Sequence, residues 1–165
     1  MEKRKILVIN TDLTEGWTWE KKLNEQYDAV NCFQGQNALA ACREQAFDLI
    51  FTDYTLPGLS GAGFLKTLQG LQPAAQFVLV LTPQEHRFLQ DRHQLPSLPV
   101  IRKPFPVQNL LKAVEKLLQG NLDLEETKTL SPLRIRENMV DGRLVLDLQG
   151  EVTKIFVSRL QEYLA

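Results

Sequence analysis

The chain has little cysteine, little histidine and almost no net charge. It contains two cysteines and two histidines among 165 residues, and its formal net charge is -1 at pH 7. Cys32 and Cys42 lack the Cys-x-x-Cys spacing, which favours small buried thiols in a reducing compartment over zinc ligands. A charge near zero gives no general attraction for nucleic acid, and no local basic patch is visible, so we expect no nucleic-acid partner.

Long apolar runs are also absent. The charged stretch 1–5 leads directly into a short strand pattern, without the apolar length of a signal peptide or a membrane span. We therefore expect a cytoplasmic protein with no membrane partner. With 165 residues, 44% of them hydrophobic and 24% charged, the chain can bury one good core and little more.

Short apolar runs alternate with stretches long enough for helices. This alternation is typical of βαβ units and predicts a parallel sheet whose strands are covered on both faces. The predicted strands cover 6–9, 29–33, 49–51, 77–81 and 100–101. The predicted helices cover 38–45, 63–71, 84–94 and 107–118, besides a first helix after the first strand.

Polar side chains stand at the ends of three predicted strands. Asp53 closes one apolar run, Thr82 follows another, and Lys103 follows the last and precedes Pro104. The carboxyl ends of parallel strands meet at one edge of a sheet, where such folds place their chemistry. We therefore expect a carboxylate, a hydroxyl and an ammonium group to converge there.

This spaced set resembles the receiver domain of bacterial two-component response regulators, over about residues 3 to 120. The resemblance implies a CheY-like, flavodoxin-like doubly wound fold and a non-enzymatic role in phosphorelay signal transduction. It implies that Asp53 accepts a phosphoryl group whose oxygens contact Thr82 and Lys103. It also implies a histidine kinase or phosphotransfer protein as donor and a protein as output partner.

The metal-binding half of the family pattern is weakened. Two acidic residues usually follow the first strand and help to hold magnesium, but Asn10 and Thr11 stand at the matching positions. Magnesium is usually held by one or two carboxylates and waters, so the resemblance implies a weakly bound ion. Its candidate ligands are Asp53, the backbone carbonyl of Thr55 and, weakly, Asp12.

Several of these residues have a structural alternative. Asp12 opens a capping-box pattern that ends at Glu15, and we favour this cap over a metal contact. Thr82 could cap the helix that follows it, and Lys103 could be only an ion-pair partner of Asp53. Asp53 itself could be a turn-initiating residue that accepts backbone hydrogen bonds.

Val100 occupies the position where receivers usually carry an aromatic switch side chain. A valine has no ring to move between buried and exposed positions, so this departure is typical of a degenerate or pseudo-receiver. One alternative function is therefore a phosphorylation-independent adaptor. A more remote alternative is a small α/β enzyme or ligand-binding domain, although no nucleophile–base pair or glycine-rich phosphate loop is present.

The residues after 120 form a separate pattern. The stretch 121–132 is polar and predicts a linker, and 133–136 and 144–148 alternate like hairpin strands around Asp141-Gly142. Helical spacing follows over 154–164. About 35 residues cannot build a core alone, so the extension 133–165 should pack on the receiver, pair in a homodimer, or begin a truncated domain. Its order is faintly similar to the start of a STAS domain.

Overall fold

The computed structural model describes residues 2–120 and two strands, 134–140 and 143–149. The chain divides into two units, Met1–Leu130 and Ser131–Ala165. The first contains a five-stranded sheet with helices, and the second contains a two-stranded sheet. None of the helices in the described part of the chain has the length and apolar character needed to cross a membrane.

The sheet of the first unit is parallel, with the strand order β2-β1-β3-β4-β5. The chain runs outwards from β1 to one edge and then returns through β3 to the other edge, as in a doubly wound fold. This confirms the predicted flavodoxin-like α/β architecture. The strands are β1 Lys5–Ile9, β2 Asp28–Cys32, β3 Leu49–Asp53, β4 Gln76–Leu81 and β5 Val100–Arg102.

Five helices connect or follow these strands. They are α1 Leu13–Leu23, α2 Gly35–Glu44, α3 Gly61–Leu71, α4 Pro83–Asp91 and α5 Leu110–Leu118. All four helices whose bounds were predicted are present, but their ends differ. α4 stops before the predicted residue 94 because His93 adopts a left-handed backbone conformation with φ 53°. The first turn predicted for α5 is a 3₁₀ turn, Val107–Asn109.

The sheet is buried on both faces, which explains the apolar runs that do not alternate. In β1, Ile6 and Val8 belong to one core cluster, whereas Leu7 and Ile9 belong to the other. Phe51 in the central strand is fully buried and packs edge-on against Trp19 of α1, with ring centroids 5.5 Å apart.

The tryptophan and cysteine side chains differ in how deeply they are buried. Trp19 is 2% exposed, whereas Trp17, two residues earlier on α1, is 67% exposed. Cys32 and Cys42 are both buried and free, as expected for small apolar thiols. Burial raises the pKa of the Cys42 thiol to about 11, so this thiol stays protonated at neutral pH.

The second unit contains the predicted hairpin strands. β6 Arg134–Val140 and β7 Arg143–Gln149 pair antiparallel, and both are longer than the predicted segments. Val140 pairs with Arg143, which leaves two residues between the strands, as in a tight hairpin. The linker 121–132, the Asp141-Gly142 turn and the helix over 154–164 lie outside the described residues, and the domain boundaries stay predictions.

Candidate functional site

Backbone register brings the polar strand ends together. Asp53 is the last residue of β3 and is 6% exposed. Thr52 pairs with Ile9 in β1, so the segment that follows β1 lies directly beside Asp53. The Lys103 N–H donates to the Leu81 carbonyl at 2.8 Å, which holds the end of β5 against β4.

The two oxygens of Asp53 have different surroundings. Oδ2 accepts hydrogen bonds from the Thr11 N–H at 2.9 Å and from the Thr11 hydroxyl at 3.2 Å. Oδ1 lies 3.0 Å from Lys103 Nζ, an ion pair whose angles fall outside those of a good hydrogen bond. Within the described residues, Oδ1 is therefore buried without a well-directed donor, and Thr11 holds the carboxylate in place through the other oxygen.

Lys103 also contacts a second carboxylate, Glu15. The Lys103 Nζ lies 3.1 Å from Glu15 Oε1, and Asn10 Nδ2 donates to the same oxygen at 2.7 Å. Gly16 lets α1 approach β2 closely, because a Cβ there would lie 2.6 Å from the Asn31 side chain. This approach places Glu15, on the first turn of α1, over the carboxyl ends of the strands.

Sequence reasoning missed Glu15 as a site residue, because it treated this glutamate as half of a capping box. The cap itself is present: the Asp12 side chain accepts from the Glu15 N–H at 2.9 Å. The reciprocal half differs, since the Asp12 N–H donates to Asn10 Oδ1 at 2.9 Å instead of to Glu15. Asp12 is exposed, and its metal contact stays a prediction.

Thr82 forms a complete capping box at the start of α4. Its hydroxyl accepts from the Glu85 N–H at 3.2 Å, and its own N–H donates to Glu85 Oε2 at 2.8 Å. Pro83 occupies the first helical turn, where a missing N–H costs nothing. The hydroxyl hydrogen of Thr82 can still donate to an anion, so the cap and the predicted phosphate contact are compatible.

The remaining predicted positions lie around this edge. Thr55 follows Asp53 by two residues and its side chain is exposed, which leaves its carbonyl as a candidate ligand. Val100 begins β5, pairs with Leu79 and packs partly buried against the core. The roles assigned to both positions stay predictions.

The pKa values of the ion pair shift in the same direction for different reasons. Burial raises the pKa of the Asp53 carboxyl, and this effect exceeds the lowering by the Thr11 hydrogen bonds and by Lys103. Burial opposes the charge of Lys103, but Asp53 and Glu15 together raise its pKa. Lys103 therefore stays charged beside its two carboxylate partners, where its side chain is 19% exposed.

The fold and this site define a doubly wound α/β domain with a buried carboxylate at the carboxyl end of its central strand. Residues 6–115 match the family described as response regulator receiver domain. The chain belongs to this family, and it therefore carries a receiver domain of phosphorelay signal transduction. The family is generally a non-enzymatic signalling module.

Individual relatives are distant. The chain is 26% identical to the transcriptional regulatory protein ZraR of Salmonella typhimurium over 114 residues, which cover 68% of this chain and only 26% of ZraR. It is 24% identical to sporulation initiation phosphotransferase F of Bacillus subtilis, covering 72% of this chain and 96% of that protein. A CheY-like receiver domain structure from Methanospirillum hungatei superposes with a TM-score of 0.61 at 20% identity, covering 73% of this chain and 97% of that one.

Receiver domains generally bind Mg²⁺ in an acidic pocket. Residues 2–120 and the two later strands contain no group of three His, Cys, Asp or Glu side chains placed to hold a metal. Asp53 Oδ2 already accepts two hydrogen bonds, and Oδ1 faces an ammonium group. Magnesium prefers carboxylate oxygens and a near-octahedral shell, so these donors do not fit a tightly held ion.

Proposed function

We propose that Asp53 is the phosphoacceptor of this receiver domain and that its Oδ1 is the attacking oxygen. The observation that carries the proposal is the asymmetry of the carboxylate. Thr11 fixes Oδ2 with two hydrogen bonds, whereas Oδ1 has no well-directed donor among the described residues and lies 3.0 Å from the Lys103 ammonium. A nucleophile needs such an oxygen, held in place and free of a hydrogen bond that would have to break.

The transfer step needs little from the protein beyond position and charge. Oδ1 forms a bond to phosphorus while the phosphorus–nitrogen bond of a donor phosphohistidine breaks. The nitrogen keeps the electron pair and takes a proton from solvent. Lys103 offsets the charge on the phosphoryl oxygens, and the Thr82 hydroxyl is free to donate to one of them. With one ammonium as the main counter-charge, we expect transfer to be slow.

The donor in this proposal is a histidine kinase or a histidine-containing phosphotransfer protein, and the output is a protein partner. The family assignment supports these classes and names no individual. We further propose that the domain works in the cytoplasm, where the donors of this family present their phosphohistidines.

Incubation with acetyl phosphate, followed by intact mass measurement, tests the proposal. We expect one phosphoryl group on the wild type and none on Asp53→Asn. The matched control is Asp48→Asn, because Asp48 lies immediately before the same strand at its opposite end. Modification that persists in Asp53→Asn, or is lost in Asp48→Asn, would contradict the assignment.

A second candidate function is a phosphorylation-independent adaptor. It is favoured by the uncharged Asn10 and Thr11 and by the ion pairs of Lys103 with both Asp53 and Glu15, which engage the ammonium within the domain itself. An adaptor would remain unmodified by acetyl phosphate at saturating magnesium, and Asp53→Asn would bind its protein partner as well as the wild type does. No contact in the described residues favours the remote enzyme alternative.

A further inference from the structure

Lys103 is shared between two carboxylates. Its Nζ lies 3.0 Å from Asp53 Oδ1 and 3.1 Å from Glu15 Oε1. The Lys103 and Glu15 side chains are 19% and 29% exposed, so solvent screens this contact less than it screens a surface ion pair. In the proposed reaction, Lys103 must contact the oxygens of the incoming phosphoryl group.

We propose that Glu15 is a built-in anion that occupies Lys103 in the resting domain and restrains entry of the phosphoryl group. This inference rests on the proposed role of Asp53 as acceptor. A phosphoryl group brings further negative charge and competes with Glu15 for the same ammonium. Entry of the phosphoryl group therefore requires either that Glu15 releases Lys103 or that the phosphoryl group binds close to the Glu15 carboxylate and is repelled by it.

The uncharged residue after β1 supports this role for Glu15. Asn10 is 2% exposed, and its Nδ2 donates to the Glu15 oxygen at 2.7 Å. An aspartate at this position would have no donor and would repel Glu15 in a poorly solvated site. The loss of the acidic residue and the presence of Glu15 are thus parts of one arrangement: the amide anchors the glutamate that holds Lys103.

Glu15→Gln removes the charge and keeps the side-chain length and one oxygen for Asn10. We expect its labelling by acetyl phosphate to be about tenfold faster than that of the wild type, or more, because a charge at contact distance from the entering anion disappears. Glu25→Gln is the matched control. Glu25 pairs with Lys22 just after the far end of α1, and its side chain is 54% exposed. Its labelling rate should equal that of the wild type.

A second readout does not depend on phosphoryl transfer. The ammonium resonance of Lys103, assigned by its disappearance in Lys103→Arg, can be followed by heteronuclear NMR without any phosphodonor. If Glu15 holds the ammonium, this resonance shifts in Glu15→Gln and stays unchanged in Glu25→Gln.

The two readouts separate the possible failures. A Lys103 resonance that does not move overturns the inference, whatever the labelling rates. A shifted resonance with slower or unchanged labelling in Glu15→Gln also overturns it, because Glu15 would then assist acceptance or have no part in it. If neither wild type nor Glu15→Gln is labelled although the resonance shifts, Asp53 is not an acceptor. The proposed function then fails, and the restraint fails with it, while the ion pair remains.

Discussion

Replacing Thr11 by aspartate would test how the Asp53 carboxylate is held. The Thr11 hydroxyl lies 3.2 Å from Asp53 Oδ2 and donates to it. Thr11→Asp removes this donor and places a second carboxylate beside a residue that is 6% exposed. We expect the variant to be less stable than the wild type in the absence of divalent cations.

The expected decrease in the free energy of unfolding lies between a lower and an upper limit. The missing hydroxyl hydrogen bond costs about 1 kcal/mol. Two carboxylate charges about 4 Å apart repel each other by about 4 kcal/mol at an effective dielectric constant near 20. Thr11 is exposed, so an aspartate at this position can turn partly into solvent. We therefore expect the free energy of unfolding to fall by about 2 kcal/mol, between these limits.

Urea unfolding with and without magnesium measures this effect. Binding to the folded state adds about 2.7 kcal/mol when the ion is present at 100 times its dissociation constant. We expect magnesium to restore the stability of Thr11→Asp and to change that of the wild type by less than about 1 kcal/mol. Thr18→Asp on the exposed side of α1 is the control for added charge. Equal stabilisation of wild type and Thr11→Asp by magnesium would refute the reasoning, because it would mean that the natural donors already form a good metal site.

Three further predictions concern the rest of the chain. Burial raises the pKa of Asp48, but the Lys5 N–H and the Arg4 guanidinium lower it overall. The ionised Asp48 therefore stabilises the folded state fully above about pH 3.8, and this stabilisation is lost as the pH falls below the lowered pKa. Acid unfolding of Asp48→Asn should therefore depend less on pH in that range than that of the wild type. Phe51→Ala should lower the free energy of unfolding by about 3–5 kcal/mol in urea titrations, since Phe51 is fully buried, and a loss below about 1 kcal/mol would contradict the described core. A chain ending at Gly120 should stay folded and monomeric by light scattering, whereas we expect the full chain to dimerise. A monomeric full chain at high micromolar concentration would exclude pairing through the extension.

Much of the fold could be predicted because the strands are buried on both faces. Buried strands are continuously apolar, so runs such as 49–51 and 77–81 are visible in the sequence. The positions of Asp53 and Lys103 at strand ends follow from where these runs stop. Helix ends were less predictable. α2 begins at Gly35 after Gln34, which makes no side-chain cap, so no residue marks its start.

The site was predictable only where backbone register determines it. Asp53 and Lys103 meet because the parallel strands β3 and β5, which flank β4 on either side, end at the same side of the sheet. Glu15 reaches Lys103 through the close packing of α1 on β2, which depends on a glycine in the helix and a long side chain. Neither the packing distance nor the side-chain conformation is visible in a periodic pattern. The same residue also fitted a local cap, and local patterns are easier to recognise in a sequence than tertiary contacts.

The intrinsic fluorescence of the two tryptophans of α1 can report on two different parts of the domain. Trp19 is shielded and touches both Phe51 and Phe105, with the second ring centroid 6.0 Å away and two residues beyond Lys103. Trp17 projects from the same helix at 67% exposure, two residues beyond Glu15. A soluble quencher such as iodide will reach Trp17 first, while the shorter-wavelength emission comes from Trp19. One emission spectrum can therefore separate the docking of another protein on α1 from a rearrangement of the core behind Asp53.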